Sequence, residues 1–266
     1  MTRTIRKTRA ALMLAALILG VFSLSRISQA EAMNSGATAS VADKASGDAA
    51  AKLDKKEYRN VKVSVEQGVA TLTGTVDYYE YKVDAERRIH GVKGVSSIRN
   101  LIEVGGPNVS DQELQSKLVE KLEYDRVGFG NAFNAIAVRV SNGVVTLGGH
   151  ARTYMDKNSA LALVSIYPGV KDVVDEIEVD PPSIMDDQTR MAVARSIYGF
   201  TTLNKYAVDP AKPIRISVQN GQVELYGMVD SQADKETAYM RANLVPGVFS
   251  VKNYLQVAGQ PNEVQK

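Results

Sequence analysis

Few side chains in this sequence have the types and spacing that catalysis or metal binding requires. The two histidines, His90 and His150, are far apart, and neither has a second histidine or a cysteine at metal-ligand spacing. The adjacent acids Asp186 and Asp187 precede an apolar helical pattern, and the helix dipole favours negative charge at that position, so we interpret them as N-terminal helix residues. The chain has no cysteine, which excludes disulfides and thiolate chemistry. We therefore predict a protein that is not an enzyme and has no metal site and no cofactor.

The side chains favour a different chemistry, which is contact with a membrane surface or with another protein. Three tyrosines at one predicted helix start stand beside basic residues, and a glycine-rich stretch carries two phenylalanines. Tyrosine combines an apolar ring with a polar hydroxyl, and each nearby basic residue adds about 1 kcal/mol of attraction to anionic headgroups. The residues predicted to bind lipid are Tyr78, Tyr79, Lys82, Arg87, Arg88, Phe129 and Phe133. The simpler interpretation, which we favour for Tyr78 and Tyr81, is that these rings close one end of a hydrophobic core.

The N-terminal residues have the pattern of an export signal. Basic side chains precede an apolar run over residues 10–24, which is typical of a secretory signal. The run is shorter than the ~20 residues of a membrane-spanning helix. Small residues at Ser28 and Ala30 predict cleavage after Ala30, with cleavage after Ala32 and an uncleaved anchor as the alternatives. We therefore predict a periplasmic protein with no membrane span after cleavage.

The overall basic charge is concentrated in this signal. Five of the 32 basic residues lie within residues 1–30, which contain no acidic residue, so the remaining chain is slightly acidic. It has no dense cluster of lysine and arginine of the kind that binds nucleic acid. We therefore expect no nucleic-acid partner.

Glycines recur at fixed spacing in three segments of the chain, which are internal repeats. In each segment the second glycine follows the first by 6 positions and the third follows the first by 26. We predict that the first lies at a hairpin turn, that the second allows a helix to pack closely on the sheet, and that the third is a helix C-cap. These structural glycines are Gly68, Gly74, Gly94, Gly143, Gly149, Gly169, Gly221, Gly227 and Gly247. Such a period indicates one small domain present three times.

The residue pattern of each repeat predicts the element order α-β-β-α-β. The pattern is clearest in the second repeat. A capping box at residues 110–113 begins an amphipathic helix, and alternating residues flank a hairpin turn at Asn142 and Gly143. Pro168 and Gly169 then end a second helix before the last strand. A hairpin followed by a crossover helix gives a mixed three-stranded sheet with two helices on one face. The predicted fold class is α+β, with three tandem domains.

Composition and repeat spacing divide the chain into six segments. Gly106–Pro107 and Pro181–Pro182 predict short, stiff joints between the domains. The segments are a signal peptide (1–30), a flexible linker (31–42), three domains (43–106, 110–180 and 186–259) and a C-terminal tail (260–266).

The repeats resemble the BON domain family over nearly all of the chain after the signal. Besides the glycines, each repeat matches the family with a leucine in the second strand, an alanine in the second helix and an Asn or Asp in the last strand. These residues are Leu72, Ala85, Asn100, Leu147, Ala160, Asp175, Leu225, Ala238 and Asn253. The resemblance implies a periplasmic α-β-β-α-β module without catalytic residues, associated with osmotic stress, envelope maintenance and attachment to phospholipid.

Three functions are consistent with this resemblance. The first is a periplasmic stress protein that binds anionic phospholipid membranes through its domains. The second is a scaffold that binds envelope proteins through sheet edges or grooves between domains. The third is potassium binding through backbone carbonyls, which some relatives in the family suggest. The sequence favours the first.

Overall fold

The structure consists of three small domains, each built on its own three-stranded sheet. It is a computed structural model that describes residues 41–124, 131–209 and 212–259. The predicted signal peptide, the C-terminal tail and Phe129 lie outside the described residues. In every sheet the middle strand pairs antiparallel with the strand before it and parallel with the strand after it. The predicted fold class is confirmed.

The first two domains follow the predicted order of elements. In the first domain they are α1 (41–52), a 3₁₀ turn (Lys56–Tyr58), β1 (Val61–Glu66), β2 (Val69–Val76), α2 (Tyr79–Ile89) and β3 (Ser97–Val104). In the second they are α3 (Asp111–Tyr124), β4 (Ala135–Ser141), β5 (Val144–Ala151), α4 (Tyr154–Ser165) and β6 (Asp172–Val179). Residues 41 and 42, which composition assigned to the linker, are helical.

The third domain adds one short helix before its first strand. Its elements are α5 (Ile184–Tyr198), α6 (Lys205–Val208), β7 (Arg215–Gln219), β8 (Gln222–Val229), α7 (Gln232–Asn243) and β9 (Ser250–Val257). A parallel pair cannot be joined by a tight turn, so α2, α4 and α7 each carry the chain from the middle strand to the last strand of their sheet.

The first helix of each domain covers its sheet with a buried side chain at every fourth residue. In the second domain the stripe is Leu114, Leu118 and Leu122, which packs with Leu147 of β5 in one hydrophobic core. Burying a leucine stabilises the fold by about 1.5–3 kcal/mol. The corresponding stripes are Ala45 and Ala49 of α1 with Leu53 directly after it, and Thr189, Val193 and Ile197 in α5. These stripes align the three helices residue by residue.

The second glycine of each repeat allows another part of the chain to approach closely, but that part is not the helix that we expected. We predicted packing against a helix, and that reason was wrong. A Cβ on Gly74 would lie 1.9 Å from the carbonyl oxygen of Asn60, and one on Gly149 would lie 2.0 Å from that of Ala135. The crowding comes from backbone at the start of the neighbouring antiparallel strand, which any side chain would displace.

The third glycine of each repeat is not a helix C-cap, so that prediction was also wrong. The helices end earlier, at the C-cap residues His90, Ile166 and Leu244. The glycines lie in the following loop with φ between 91° and 94°. This loop runs against the first helix, where a Cβ on Gly94 would lie 3.2 Å from that of Ala45. Helix termination is therefore separate from the turn that brings the chain to the last strand.

Candidate functional site

The tyrosines at the start of α2 divide between two domains. Tyr81 packs against the core of the first domain and meets the rings of Tyr58 and Tyr78 in T-shaped contacts, at centroid distances of 6.3 and 5.5 Å. Tyr79 faces the other way and packs against the core of the second domain. Burial, followed by the Asp172 carboxylate, raises the pKa of Tyr79 to about 12. Tyr79 therefore serves as a contact between domains in this structure.

The two arginines of α2 have carboxylate partners on the same helix. Arg88 donates to Asp84 at 2.6 Å and to the Tyr58 hydroxyl at 3.2 Å. Burial, followed by the hydrogen bond to Asp84, raises the pKa of Tyr58 to about 12. Arg87 is more exposed and lies 3.5 Å from Asp84. Among the predicted lipid contacts, Arg87 is exposed, and Lys82 and Tyr78 are half-buried. These three residues therefore keep access to solvent.

Phe133 lies inside the protein, in a domain other than the one its sequence position suggests. It precedes β4 of the second domain, yet it is 3% exposed and belongs to the core of the third. The guanidinium groups of Arg152 and Arg190 lie 5.9 and 6.0 Å from its ring centroid. The second predicted phenylalanine, Phe129, is outside the described residues. In this structure Phe133 fastens the second domain to the third.

A buried ion pair crosses the joint between the second and third domains. Arg190 of α5 donates to Asp180, which follows β6, at 3.1 Å, and each residue is 3% exposed. Arg190 also donates to the carbonyl of Val218 at 3.0 Å, and Gln219 donates to Asp180 at 2.8 Å. A buried charge needs such partners, since leaving one unpaired costs several kcal/mol. Sequence reasoning missed this pair, although an arginine beside the buried stripe of α5 is a signal that could have suggested it.

Further contacts extend this joint over the edge of the third sheet. The backbone amide of Ile216 in β7 donates to the carbonyl of Ala132 at 2.7 Å. Arg215 of β7 lies 3.4 Å from Glu123 at the end of α3. The edge strand of the third sheet is therefore covered in part by the second domain.

The starts of α4 and α5 are held together and expose apolar side chains. Arg152, just before α4, makes two hydrogen bonds of 3.1 Å to Asp187 of α5. The hydrogen bonds from Arg152, followed by its charge and that of Arg190, hold the pKa of Asp187 below its usual value against the effect of burial. The large exposed apolar side chains of these two helix starts are Tyr154 (72%), Met155 (82%), Ile184 (78%) and Met185 (71%).

This apolar surface was not predicted from the sequence. Ile184 and Met185 fit the apolar pattern of α5. They lie outside the core because they occupy the first turn, before the buried stripe begins. Adjacent exposed side chains of this size mark contact surfaces more often than scattered single ones do. We call these four residues the helix-start patch.

The described residues contain neither a metal-binding cluster nor a spanning helix. Over residues 41–124, 131–209 and 212–259, no group of three or more His, Cys, Asp or Glu side chains could hold a metal ion. Over the same ranges, no helix has the length and apolar character needed to cross a bilayer. The fold defines a modular protein made of three tandem α-β-β-α-β domains.

The sequence pattern of the BON domain matches three segments of the chain, at residues 40–106, 110–181 and 201–259. The matches cover most of the chain, which therefore belongs to the BON domain family. One relative is Osmotically-inducible protein Y of Escherichia coli (strain K12), which is 30% identical over 132 residues. That alignment covers 46% of this chain and 61% of the relative, so the match spans less than two thirds of the relative's length.

Two solved structures match the chain at low sequence identity and low TM-score. CdsD, a structural protein of the Type III secretion system of Chlamydia trachomatis, is 15% identical with a TM-score of 0.23, over 82% of this chain and 92% of that one. The periplasmic domain of the inner membrane protein PrgH from S. typhimurium is 10% identical with a TM-score of 0.20, over 78% and 97%.

Proposed function

We propose that this protein is an exported, non-catalytic envelope protein that binds the surface of anionic phospholipid membranes under osmotic stress. Membership of the BON domain family and the similarity to an osmotically inducible relative support the stress role. The export pattern at the N-terminus supports the periplasm as the compartment.

The helix-start patch is the observation that carries the lipid part of this proposal. Its side chains are large and apolar, and they extend from the first turns of two helices rather than from a core-facing stripe. Asp156, Asp186 and Asp187 lie in the first turns of these helices, so the membrane contact rests on the apolar side chains and not on the helix ends. Apolar side chains that enter the acyl region would hold the protein peripherally. Tyr78, Lys82 and Arg87 form a second, more polar candidate surface on α2.

Co-sedimentation with vesicles tests the proposal. The unaltered protein should bind vesicles of anionic phosphatidylglycerol more strongly than vesicles of neutral phosphatidylcholine, and added salt should weaken that binding because salt screens the charges. The double variant Met155→Glu/Met185→Glu should lose most of the binding. Met240→Glu is the matched control, since Met240 is an exposed helical methionine (55%) outside the patch.

Two results would contradict the lipid proposal. One is the absence of binding to anionic vesicles at low salt. The other is binding of the double variant at the level of the Met240→Glu control, which would remove the patch from the mechanism. In the second case the α2 surface would be tested with Lys82→Glu/Arg87→Glu.

A protein scaffold is the second candidate function, and a feature of the third sheet favours it. The rings of Tyr226 and Tyr254 stack on the outer face at 5.1 Å with an interplanar angle of 18°. Lys252 pairs with Glu224 on the same strands at 2.9 Å. Stacked tyrosines bordered by charges are typical of protein-binding surfaces. Crosslinking in the periplasm that depends on Tyr254 would support this function.

A further inference from the structure

The hairpin turns of the three domains have the same backbone conformation. Both turn residues have positive φ in each case, at 48° and 81° for Gln67 and Gly68, and at 54° and 78° for Asn142 and Gly143. In the third domain Asn220 has φ 50°. Successive amides in such a turn form a concave donor group that suits one anionic oxygen pair.

In the second and third domains this donor group binds a carboxylate from the first helix. Asp111 of α3 accepts hydrogen bonds from the amides of Asn142 and Gly143 at 2.7 and 2.9 Å. Asp186 of α5 accepts from the amides of Asn220 and Gly221 at 3.0 and 2.9 Å. Burial raises the pKa of Asp186, but the hydrogen bonds from Gly221 and Asn220 outweigh it and lower that pKa. In the third domain the turn therefore favours the charged form of Asp186.

The first domain has the same turn but lacks the carboxylate. Asp111 and Asp186 lie three residues before the first residue of the buried stripes of their helices, and the corresponding residue of α1 is Ala42. Within the described residues, no side chain or carbonyl accepts a hydrogen bond from the amides of Gln67 and Gly68. Gly143 and Gly221 are buried, whereas Gly68 is half-buried. Because alanine stands where the other two domains have aspartate, the first domain has space for one carboxylate group beside the turn.

Among the residues that the structure describes, the surroundings of this turn form an open cleft rather than a packed surface. The cleft lies between the first residues of α1 and the turn, and Val41, Ala42, Gly94 and Arg99 are among its lining residues. Glu66 and Arg99 contribute one charge of each sign, so the two amides decide which ion is favoured.

We propose that the β1–β2 turn of the first domain is a binding site for a carboxylate supplied from outside the domain. In the second and third domains, Asp111 and Asp186 supply this carboxylate from within the domain. In the first domain the external ligand supplies it. The ligand accepts one hydrogen bond from the amide of Gln67 and one from the amide of Gly68. Its source is either a free carboxylate or a carboxylate carried by a polypeptide. The site is independent of the helix-start patch and of lipid binding.

Amide chemical shifts of the ¹⁵N-labelled protein test the site, with acetate as the probe. The Gln67 and Gly68 amides should shift saturably as acetate is added. The amides of Asn142, Gly143, Asn220 and Gly221 are internal controls, because their carboxylates are already in place, and should shift severalfold less. Equal shifts at all three turns, or no saturable shift at Gln67 and Gly68, would overturn the proposal.

The variant Ala42→Asp separates binding from folding. It supplies the missing carboxylate, so it should abolish the acetate response while leaving the protein folded and, because it adds two charge-assisted hydrogen bonds, somewhat more heat-stable. An acetate response that persists unchanged in Ala42→Asp would contradict the assignment. The reverse variant Asp111→Ala should make the Asn142 and Gly143 amides respond to acetate.

Two further probes define the ligand. Inorganic phosphate at equal concentration should bind more weakly than acetate, because the site matches two oxygens in one plane, and preferential phosphate binding would overturn the carboxylate assignment. Acetyl-aspartate amide distinguishes the source. Binding tighter than that of acetate supports a polypeptide carboxylate, and equal binding supports a free one.

Discussion

The joint between the first and second domains differs from the joint between the second and third. At the first joint, Tyr79 packs against the second core and interacts with Asp172. At the second joint, Arg190 and Asp180 form a buried ion pair and Phe133 enters the neighbouring core. The domains are copies of one fold, but the contacts between them are not copies. Coupling between repeats is therefore set by a few side chains outside the repeated pattern.

The comparison implies two levels of cooperativity. The second and third domains share buried polar groups and part of a core, so separating them would expose charges and a phenylalanine to water. The first domain would lose mainly the burial of one tyrosine. We expect the second and third domains to unfold together and the first to unfold separately.

The largest effect is expected from Arg190→Met. This change leaves the Asp180 carboxylate buried without its cation and should lower the free energy of unfolding of the coupled pair by about 4 kcal/mol. Urea denaturation followed by circular dichroism measures it. Arg139→Met is the matched control, because the Arg139–Glu176 pair is exposed and contributes less than about 1 kcal/mol. Equal effects of the two changes would show that the joint is not held by the buried pair.

The next largest effect is expected from Phe133→Ala, which should lower the stability of the third domain by about 3 kcal/mol. The reason is that Phe133 fills a position in that core although it belongs to the segment before β4. Phe249→Ala is the control, since Phe249 is 82% exposed. Hydrogen exchange of α5 and β7 amides localises the effect, and faster exchange confined to the second domain would contradict the assignment.

Tyr79→Ala should have a smaller effect, of about 1–2 kcal/mol, typical of a partly buried contact. Its main consequence is independent motion of the first domain, which ¹⁵N relaxation rates measure as a shorter tumbling time for that domain alone. Tyr154 occupies the equivalent position at the start of α4 and is 72% exposed, so Tyr154→Ala should leave the tumbling unchanged. An identical response to both changes would remove the distinction between the joints.

The smallest effect concerns acid pH at the second joint. The folded-state pKa of Asp187 is lowered by Arg152, so its stabilisation is complete above the unfolded-state value of about 3.9 and is lost as the pH falls through the folded-state pKa. Because Arg152 and Asp187 are both partly exposed, the contribution of this pair should be about 1 kcal/mol or less; Asp187 also pairs with buried Arg190, which adds to the effect of removing its charge. Asp187→Asn should lower stability equally at pH 7 and pH 5, and the difference from the unaltered protein should shrink as the pH falls through the folded-state pKa of Asp187. A difference that stays constant with pH would contradict it.

The fold was predictable from the sequence because its signals are local. Hairpin turns need residues that accept positive φ, and alternation around Asn142 and Gly143 fixed two strands of the second domain. The roles of other glycines were mistaken, since Gly74 contacts a carbonyl at the start of the neighbouring strand and Gly94 lies beyond the helix end. Both errors concern what a residue faces rather than which element it belongs to.

The candidate surfaces were less predictable. Tyr79 and Tyr154 are the same residue at equivalent positions, yet one packs between domains and the other faces solvent. No local pattern distinguishes them, because the difference lies in what the neighbouring domain presents.

By itself the sequence determined the three repeats, the order of their strands and helices, and the scarcity of residues suited to catalysis. Those properties follow from backbone preferences and from periodic apolar residues within one repeat. The tertiary structure alone decided which domains are coupled and which apolar side chains remain outside. The pairing of Arg215 with Glu123, for instance, joins residues 92 positions apart. Contacts of that kind depend on how folded domains pack, and packing is a property of surfaces that the chain forms only after each repeat has folded.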